Sequence, residues 1–292
     1  MTLQAAYNEY IVVQRIRGNS PQTVIYYGNC LLPFVGYFGK DTDPATLTIK
    51  QLQAYSLRLL DSGIASTSHK TYIKGIRAFL TWCYTEEYIP VDLSAKFPLP
   101  RASRKLPTVL TDEQIHAMFD ALGNPKEFLP LRNHCICALM LDCGLRKGEV
   151  LSLTLSSLHL SEGYILVHGK GNKQRIAPLG NHCLRLLMKY IAQRPAVRSD
   201  ALFLTADGHP IGEGCIRRVF RKVGKGHLTH GIHPHLLRHT FATRYIQNGG
   251  NPYALQLILG HSSLDMVKQY VHLTTTKSLV NNGCISLLDI LR

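Results

Sequence analysis

Acidic side chains are scarce in this chain. Against 33 Lys and Arg there are 19 Asp and Glu in 292 residues, a formal net charge of +14 at pH 7. That balance favours a polyanionic partner, with nucleic acid the first candidate and an ordinary basic protein the alternative. Long apolar runs are also missing. No stretch reaches the roughly 18 apolar residues of a membrane-spanning helix, and Met1-Thr2-Leu3-Gln4 has no basic segment followed by an apolar one, so neither a membrane span nor a secretory leader is expected. The expected location is the cytoplasm. Paired cysteines are absent as well: none of the eight forms a CxxC motif. They lie in apolar stretches such as Cys135-Ile136-Cys137-Ala138, where they read as reduced core residues rather than disulfides or a zinc ribbon.

What is present is enough for two folded cores. Mean hydropathy is −0.02 and 45% of residues are hydrophobic, which argues against disorder. No internal repeat is visible. Residues 1–93 read as about four helices. Ser20-Pro21 supplies an N-cap and first helical position ahead of Val24, Tyr27, Leu31, Phe34, Val35 and Phe38 at helical spacing. Thr48 and Gln51 form a capping box, Gly63 stands where a helix should stop, and another helix follows Ser66 with Tyr72, Ile73, Ile76, Phe79, Leu80 and Cys83 on one face. Residues 94–107, with Pro98, Pro100 and Pro107 among Arg101, Arg104 and Lys105, read as an extended basic linker.

Residues 108–292 are more mixed. Thr111 and Gln114 open a helix, and a second apolar helix covers about 129–143. Tyr164 to His168 and Lys173 to Ala177 are β-like runs around Gly169-Lys170-Gly171-Asn172, a hairpin with Lys170 near its tip. Helices return at about 181–193, 213–223, 234–248 and 252–259, with a last one carrying Tyr270. The expected fold class is therefore mainly α with a small β-sheet or hairpin, in an N-terminal helical domain and a C-terminal α+β domain.

Tyrosine is a poor nucleophile at neutral pH, because a pKa of about 10 makes its phenolate cost roughly 4 kcal/mol at pH 7. A tyrosine that attacks a phosphodiester needs guanidinium groups to hold the non-bridging oxygens, a proton acceptor, and an acid for the leaving hydroxyl. The chain offers such a set. Arg146 follows Gly144 at a loop-to-helix junction, with Glu149 three residues on to orient it. His235 and Arg238 are related i, i+3 behind the helix start at His233-Pro234, so both point to one site. Singly, each of these residues reads as an ordinary surface or core group, and Tyr270 is one of fourteen tyrosines. Only the joint pattern carries weight.

That pattern resembles the tyrosine recombinase (phage integrase) family. Gly144-Leu145-Arg146-Lys147-Gly148-Glu149 is similar to its first arginine motif. Gly169-Lys170-Gly171-Asn172-Lys173-Gln174-Arg175 with Pro178-Leu179-Gly180 is similar to its catalytic-lysine hairpin. Pro234-His235-Leu236-Leu237-Arg238-His239-Thr240-Phe241-Ala242-Thr243 is similar to its second arginine box, and Leu259-Gly260-His261-Ser262-Ser263 through Tyr270-Val271-His272 to its nucleophile segment. The order and spacing match over nearly the whole chain. One departure is Asp265-Met266, where the family often has a Thr-Thr pair, which bears on docking of the tyrosine helix rather than on the chemistry.

The resemblance implies a core-binding (SAM-like) domain at 1–93 and a catalytic domain at 108–292, closing around double-stranded DNA with a short inverted-repeat core site. Tyr270 would be the nucleophile, forming a 3'-phosphotyrosyl bond and releasing a 5'-hydroxyl. Arg146 and Arg238 would hold the non-bridging oxygens, Lys170 would protonate the leaving oxygen, His235 would act as general acid/base, His261 would bond the phosphate, and Glu149 would support them. Neither cofactor nor metal is implied. The apolar tail Cys284 to Arg292 would dock on a neighbouring protomer, in a homo-tetramer or with a paralogous recombinase on two sites, or else pack on its own domain. A chain starting so near the core-binding domain is expected to lack an arm-binding module, like Xer or transposon-type recombinases that integrate or excise an element or resolve dimers. The alternatives are an inactive DNA-binding accessory protein of the same fold and a type IB topoisomerase-like relaxing enzyme. A metal site at His233, His235 and His239 lacks a nearby carboxylate cluster. Asp41-Thr42-Asp43 reads as a solvated turn, and the glycines around Lys170 do not have phosphate-loop spacing.

Overall fold

The computed structural model describes residues 1–101, 109–169, 174–226, 228–260, 267, 268 and 270. The chain divides into two units, Met1–Lys105 and Leu106–Arg292.

The first unit is built from α1 (Leu3–Ile16), α2 (Pro21–Phe38), α3 (Ile49–Asp61), α4 (Ser66–Thr85) and a single helical turn, α5 (Leu93–Lys96). Its helices start where the capping residues stand. Ser20 accepts the Thr23 N–H ahead of α2, and Thr48 and Gln51 close a reciprocal capping box on α3, each satisfying donors a helix start leaves orphaned. The apolar faces meet in one core that holds Leu3, Tyr10, Phe34, Leu52, Ile76, Phe79 and Leu80. Tyr10 sits edge-on to Tyr27 and Phe79 at 5.1 and 5.4 Å between ring centroids, the geometry aromatic quadrupoles prefer. The segment read as an extended linker from 94 onward departs from that reading at its start. Asp92 caps α5, Ser94 bonds Thr81 at 2.8 Å, and Phe97 is buried in the first core. One apolar residue with a cap before it was enough to fold the turn back. Residues 98–101 are irregular, and 102–107 lie outside the described residues.

The second unit is organised by α7 (Phe128–Asp142), which buries Leu131, Arg132 and the whole run from His134 to Met140, as a central helix must. On it pack α6 (Asp112–Leu122), α8 (Lys147–Leu151), α9 (Asn181–Gln193) and α11 (Pro234–Gln247), while α10 (Glu213–Val223) packs on α6 and α12 (Pro252–Leu259) on α11. A three-stranded antiparallel sheet of order β1 (Leu158–His159), β2 (Tyr164–His168), β3 (Gln174–Pro178) completes the unit. Its register sets Tyr164 opposite Pro178 and Val167 opposite Arg175. Ile165, Val167 and Ala177 face the core, so the two-residue period also turns Arg175 inward while Ile176 is left exposed. β3 begins at Gln174 rather than Lys173, which with Lys170, Gly171 and Asn172 lies outside the described residues. The mainly helical class with a small sheet is as the sequence leads one to expect. Seven cysteines among the described residues are buried with free thiols, and no described helix is long and apolar enough to cross a membrane.

Candidate active site

The site begins where α7 ends. Gly144 adopts a left-handed φ of +64°, and a Cβ there would stand 2.6 Å from Phe241 and 2.8 Å from Leu259, so only glycine fits both the turn and the packing. The turn delivers Arg146 to the N-cap of α8. Its backbone N–H donates to Glu149 Oε2 at 2.7 Å and its Nη1 to Glu149 Oε1 at 2.9 Å. Glu149, 5% exposed, also accepts from Arg175 Nη2 at 2.7 Å and has Arg238 Nη1 at 3.9 Å. Three guanidiniums thus converge on a single carboxylate.

The same three arginines grip the end of α12. Arg146 Nη1 donates to the Leu259 carbonyl at 3.2 Å, Arg238 Nη2 to the same oxygen at 2.7 Å, and Arg175 Nη1 to the Ile258 carbonyl. Arg238 Nη1 also donates to the Gly144 carbonyl. The last carbonyls of a helix have no partner within it and carry the negative end of its dipole, so cations belong there. Gly260 closes α12 in the left-handed region, φ +62°, with Arg175 Cδ 2.7 Å from where its Cβ would be. A side chain at 260 would displace Arg175.

On α11, His233 is the N-cap, its Nδ1 accepting the Leu236 N–H at 3.2 Å, and Pro234 is the first helical residue. Arg238 is buried and His235 lies on the exposed side. Tyr270 is 2% exposed, packed with Ala242, Ile246, Leu255, Leu259 and Val267. Its hydroxyl lies 2.7 Å from Nδ1 of His239. Of the residues named from the sequence, the structure brings Arg146, Glu149, Arg238 and Tyr270 into one neighbourhood, with His235 a turn before Arg238. Lys170 and His261 lie outside the described residues, as does the tail 284–292.

Two members were missed. Arg175 is named within the hairpin motif without a role, although its phase, two residues before the inward Ala177, marks it as pointing in. His239, next to Arg238, stands in the sequence only within the second arginine box and as a possible metal ligand. The three histidines divide instead: His233 caps the helix, His235 is exposed with Arg238 and Arg146 acting on its ring, and His239 meets Tyr270. Among the described residues it is Asp142, Cys143 and Cys183 that bring potential metal-ligand atoms within 4.8 Å of one another. There, the hydrogen bond with Cys143, burial and Asp142 all push the Cys183 thiol up, which keeps it protonated and a poor ligand.

Charge in the site is unbalanced. Burial, and then the adjacent Arg146, lower Arg238 to about 9, with Glu149 opposing, so it remains a cation at pH 7. Burial alone would raise Glu149, but Arg175 and the Arg146 backbone and side chain outweigh it and hold the carboxyl below its ordinary value. Partial desolvation, then His233, Arg238, Arg146 and Lys147, lower His235. Burial, then His235, Arg238 and His233, lower His239. Both imidazoles are therefore neutral at pH 7, beside a cluster with two positive charges more than its carboxylate balances. Such a cluster suits a phosphate.

Residues 108–277 match the phage integrase family. Tyrosine recombinase XerD of Oceanobacillus iheyensis is 30% identical over 290 residues, covering 94% of this chain and 96% of the relative. Tyrosine recombinase XerC of Lactobacillus delbrueckii subsp. bulgaricus is 30% identical over 94% and 95%. Among solved structures, the Tn1549 transposon integrase in complex with a circular intermediate DNA covers the full length of both chains with a TM-score of 0.76 at 20% identity, a likeness of fold. The chain belongs to the phage integrase family of tyrosine recombinases.

Proposed function

We propose that the protein is a site-specific recombinase that breaks and rejoins duplex DNA through a covalent bond between Tyr270 and a 3'-phosphate. The observation that carries the reading is the convergence of Arg146, Arg175 and Arg238 on Glu149 and the end of α12, with Tyr270 packed beside them. Arg146 and Arg238 bind the non-bridging oxygens, since a guanidinium has five donors and is charged at any physiological pH. Lys170 protonates the leaving 5'-oxygen, His261 bonds the phosphate, and His235 serves proton transfer at the phosphate. Glu149 positions Arg146. The bond energy is kept in the phosphotyrosine, so the reaction requires neither nucleotide hydrolysis nor a cofactor.

The first unit is the core-binding domain and the second the catalytic domain, joined by the basic linker across the phosphate backbone. The substrate is a short inverted repeat, and the tail beyond residue 283 joins protomers into a tetramer on two sites. Likeness to XerC, XerD and a transposon integrase solved with DNA supports a DNA substrate, and the net charge of +14 supports it independently. The enzyme acts in the cytoplasm.

Covalent capture tests the proposal. Protein-linked DNA is isolated from cells under denaturing conditions and its attached 3' ends are sequenced. Linked ends at one inverted repeat with the parent, and none with Tyr270→Phe, are expected. No linked DNA from a parent that binds DNA in a salt-sensitive way would leave the inactive accessory protein as the better reading.

A further inference from the structure

We propose that His239 is the group that takes the proton from Tyr270 when it attacks, a role that rests on reading Tyr270 as the nucleophile. The hydroxyl and His239 Nδ1 are 2.7 Å apart, with the rings inclined at 45° and centroids 5.8 Å apart. That is a hydrogen bond within reach for direct proton transfer. With its own proton on Nε2, the neutral ring presents Nδ1 as an acceptor to the Tyr270 O–H. Tyr270 is 2% exposed, so bulk water is a poor competitor for its proton. His235, which has the histidine role in the motif, lies on the exposed side of α11.

Backbone geometry explains why the adjacent residue can serve. Arg238 and His239 are neighbours in sequence on α11, so one turn of helix sends the guanidinium to the Gly144 and Leu259 carbonyls and the imidazole to Tyr270. The Tyr270 hydroxyl also acts electrostatically on Arg238, a cation whose nearness favours phenolate. Among the described residues, the charged and titratable groups that bear on the His239 ring are His235 and Arg238 on its own helix, His233 at the helix cap, and Tyr270. Arg146 and Glu149 stand behind Arg238. Burial, and then His235, Arg238 and His233, make His239 a weak base in the free protein. A DNA phosphate brings negative charge to Arg238 and Arg146 and offsets part of that effect, so the base strengthens when substrate is bound.

The step balances. The Tyr270 O–H bond breaks and its proton moves to His239 Nδ1 while the phenolic oxygen bonds to phosphorus. The bond from phosphorus to the 5'-oxygen breaks, and that oxygen takes a proton from the acid on its own side. In rejoining, the incoming 5'-hydroxyl reverses each event and His239 returns its proton to the leaving tyrosine.

The test is single-turnover cleavage of a duplex bearing the captured inverted repeat, measured against pH for the parent, Tyr270→Phe and His239→Asn. Asparagine keeps an acceptor oxygen near the place of Nδ1 but cannot take up a proton. The parent is expected to show an acid limb below the ordinary imidazole pKa of 6.5, and the variant to lose that limb and cleave about 100-fold more slowly. A substrate with sulfur in place of the bridging 5'-oxygen needs no leaving-group acid, and it is expected to leave the defect unrepaired. Cleavage within threefold of the parent with the same pH profile, or full repair by the sulfur substrate, overturns the proposal. Cleavage by Tyr270→Phe overturns the underlying reading instead, whatever His239 does. Should His239→Asn not fold, ring-labelled histidine nitrogen spectra of the parent and Tyr270→Phe decide the matter. One Nδ1 resonance is expected to move when the hydroxyl is removed, and unchanged spectra would refute the contact.

Discussion

Replacing Glu149 by alanine removes the one carboxylate on which three guanidiniums converge. Arg175 loses a partner at 2.7 Å where both side chains are under 10% exposed, and Arg238 loses one at 3.9 Å. At an effective dielectric of about 20, the gross Coulomb energies are about 6 and 4 kcal/mol. Desolvation already offsets much of this in the native protein, and the measured cost of stranding a buried charge is about 3–5 kcal/mol. For a unit of this size that corresponds to a fall of roughly 6–20 °C in melting temperature. Glu149→Gln keeps an oxygen for the arginine donors and should cost about half as much. Removing both charges, as Glu149→Leu with Arg175→Met, should be less damaging than Glu149→Ala, since no buried charge is stranded. The assay is thermal melting of the full chain, repeated across pH. Glu149 is held below the ordinary carboxyl value of 4.5, so its contribution is complete above that pH and is lost as pH falls through the lowered folded value. The gap between parent and variant should therefore close in acid. A loss of under about 2 °C at pH 7 for Glu149→Ala, or a gap that widens below pH 4.5, would show that the carboxylate does not balance the arginines.

Three other perturbations follow from the same structure. Gly144→Ala combines a left-handed φ with contacts inside van der Waals distance of Phe241 and Leu259; strain and overpacking together should cost about 2–4 kcal/mol and slow cleavage, whereas a parental melting temperature would contradict the fit. DNA affinity should fall by roughly 10³ between about 50 and 200 mM salt if six phosphates are contacted, and a flat response would refute the clamp. Burial holds His134 and His239 below the imidazole value of 6.5. The unfolded chain binds more protons below that pH, so stability should drop as pH falls from about 6.5, and a urea midpoint no lower at pH 5.5 than at 7.5 would argue against it.

The helices were legible because their signals are local. Ser20, Thr48 and Thr111 cap where the sequence places caps, and Pro234 begins α11. The arginines at 146 and 238 were legible through motif spacing, with Glu149 marked as a support by its i, i+3 distance. The end of α5 was not, because Phe97 folds back by packing against residues distant in sequence. Nor were the partners of the arginines: no residue pattern announces that backbone carbonyls at 258 and 259 will accept from three guanidiniums. Arg175 reached its place through strand phase and a register that pairs it with Val167. His239 acquired its role from Tyr270, thirty-one residues downstream, a contact that only tertiary packing creates.

These carbonyls bear on how the site does its work. Guanidiniums pointed at an empty cleft would repel one another and drift, and phosphate binding would have to bear the cost of gathering them. Here Glu149 and the negative end of α12 gather them beforehand. The assembly still has two positive charges more than its carboxylate balances. A phosphodiester supplies one negative charge, and the five-coordinate arrangement reached as Tyr270 bonds to phosphorus carries close to two. The cluster is thus better matched to the reacting phosphate than to the resting one, and only interactions that strengthen along the reaction lower its barrier. Glu149 tunes that match. Neutralising it would leave the cluster one charge further positive, tightening its hold on resting DNA while loosening the geometry that selects the reacting state. Glu149→Gln should accordingly bind DNA at least as tightly as the parent yet cleave it more slowly. Binding and cleavage that fell together would assign Glu149 to folding alone.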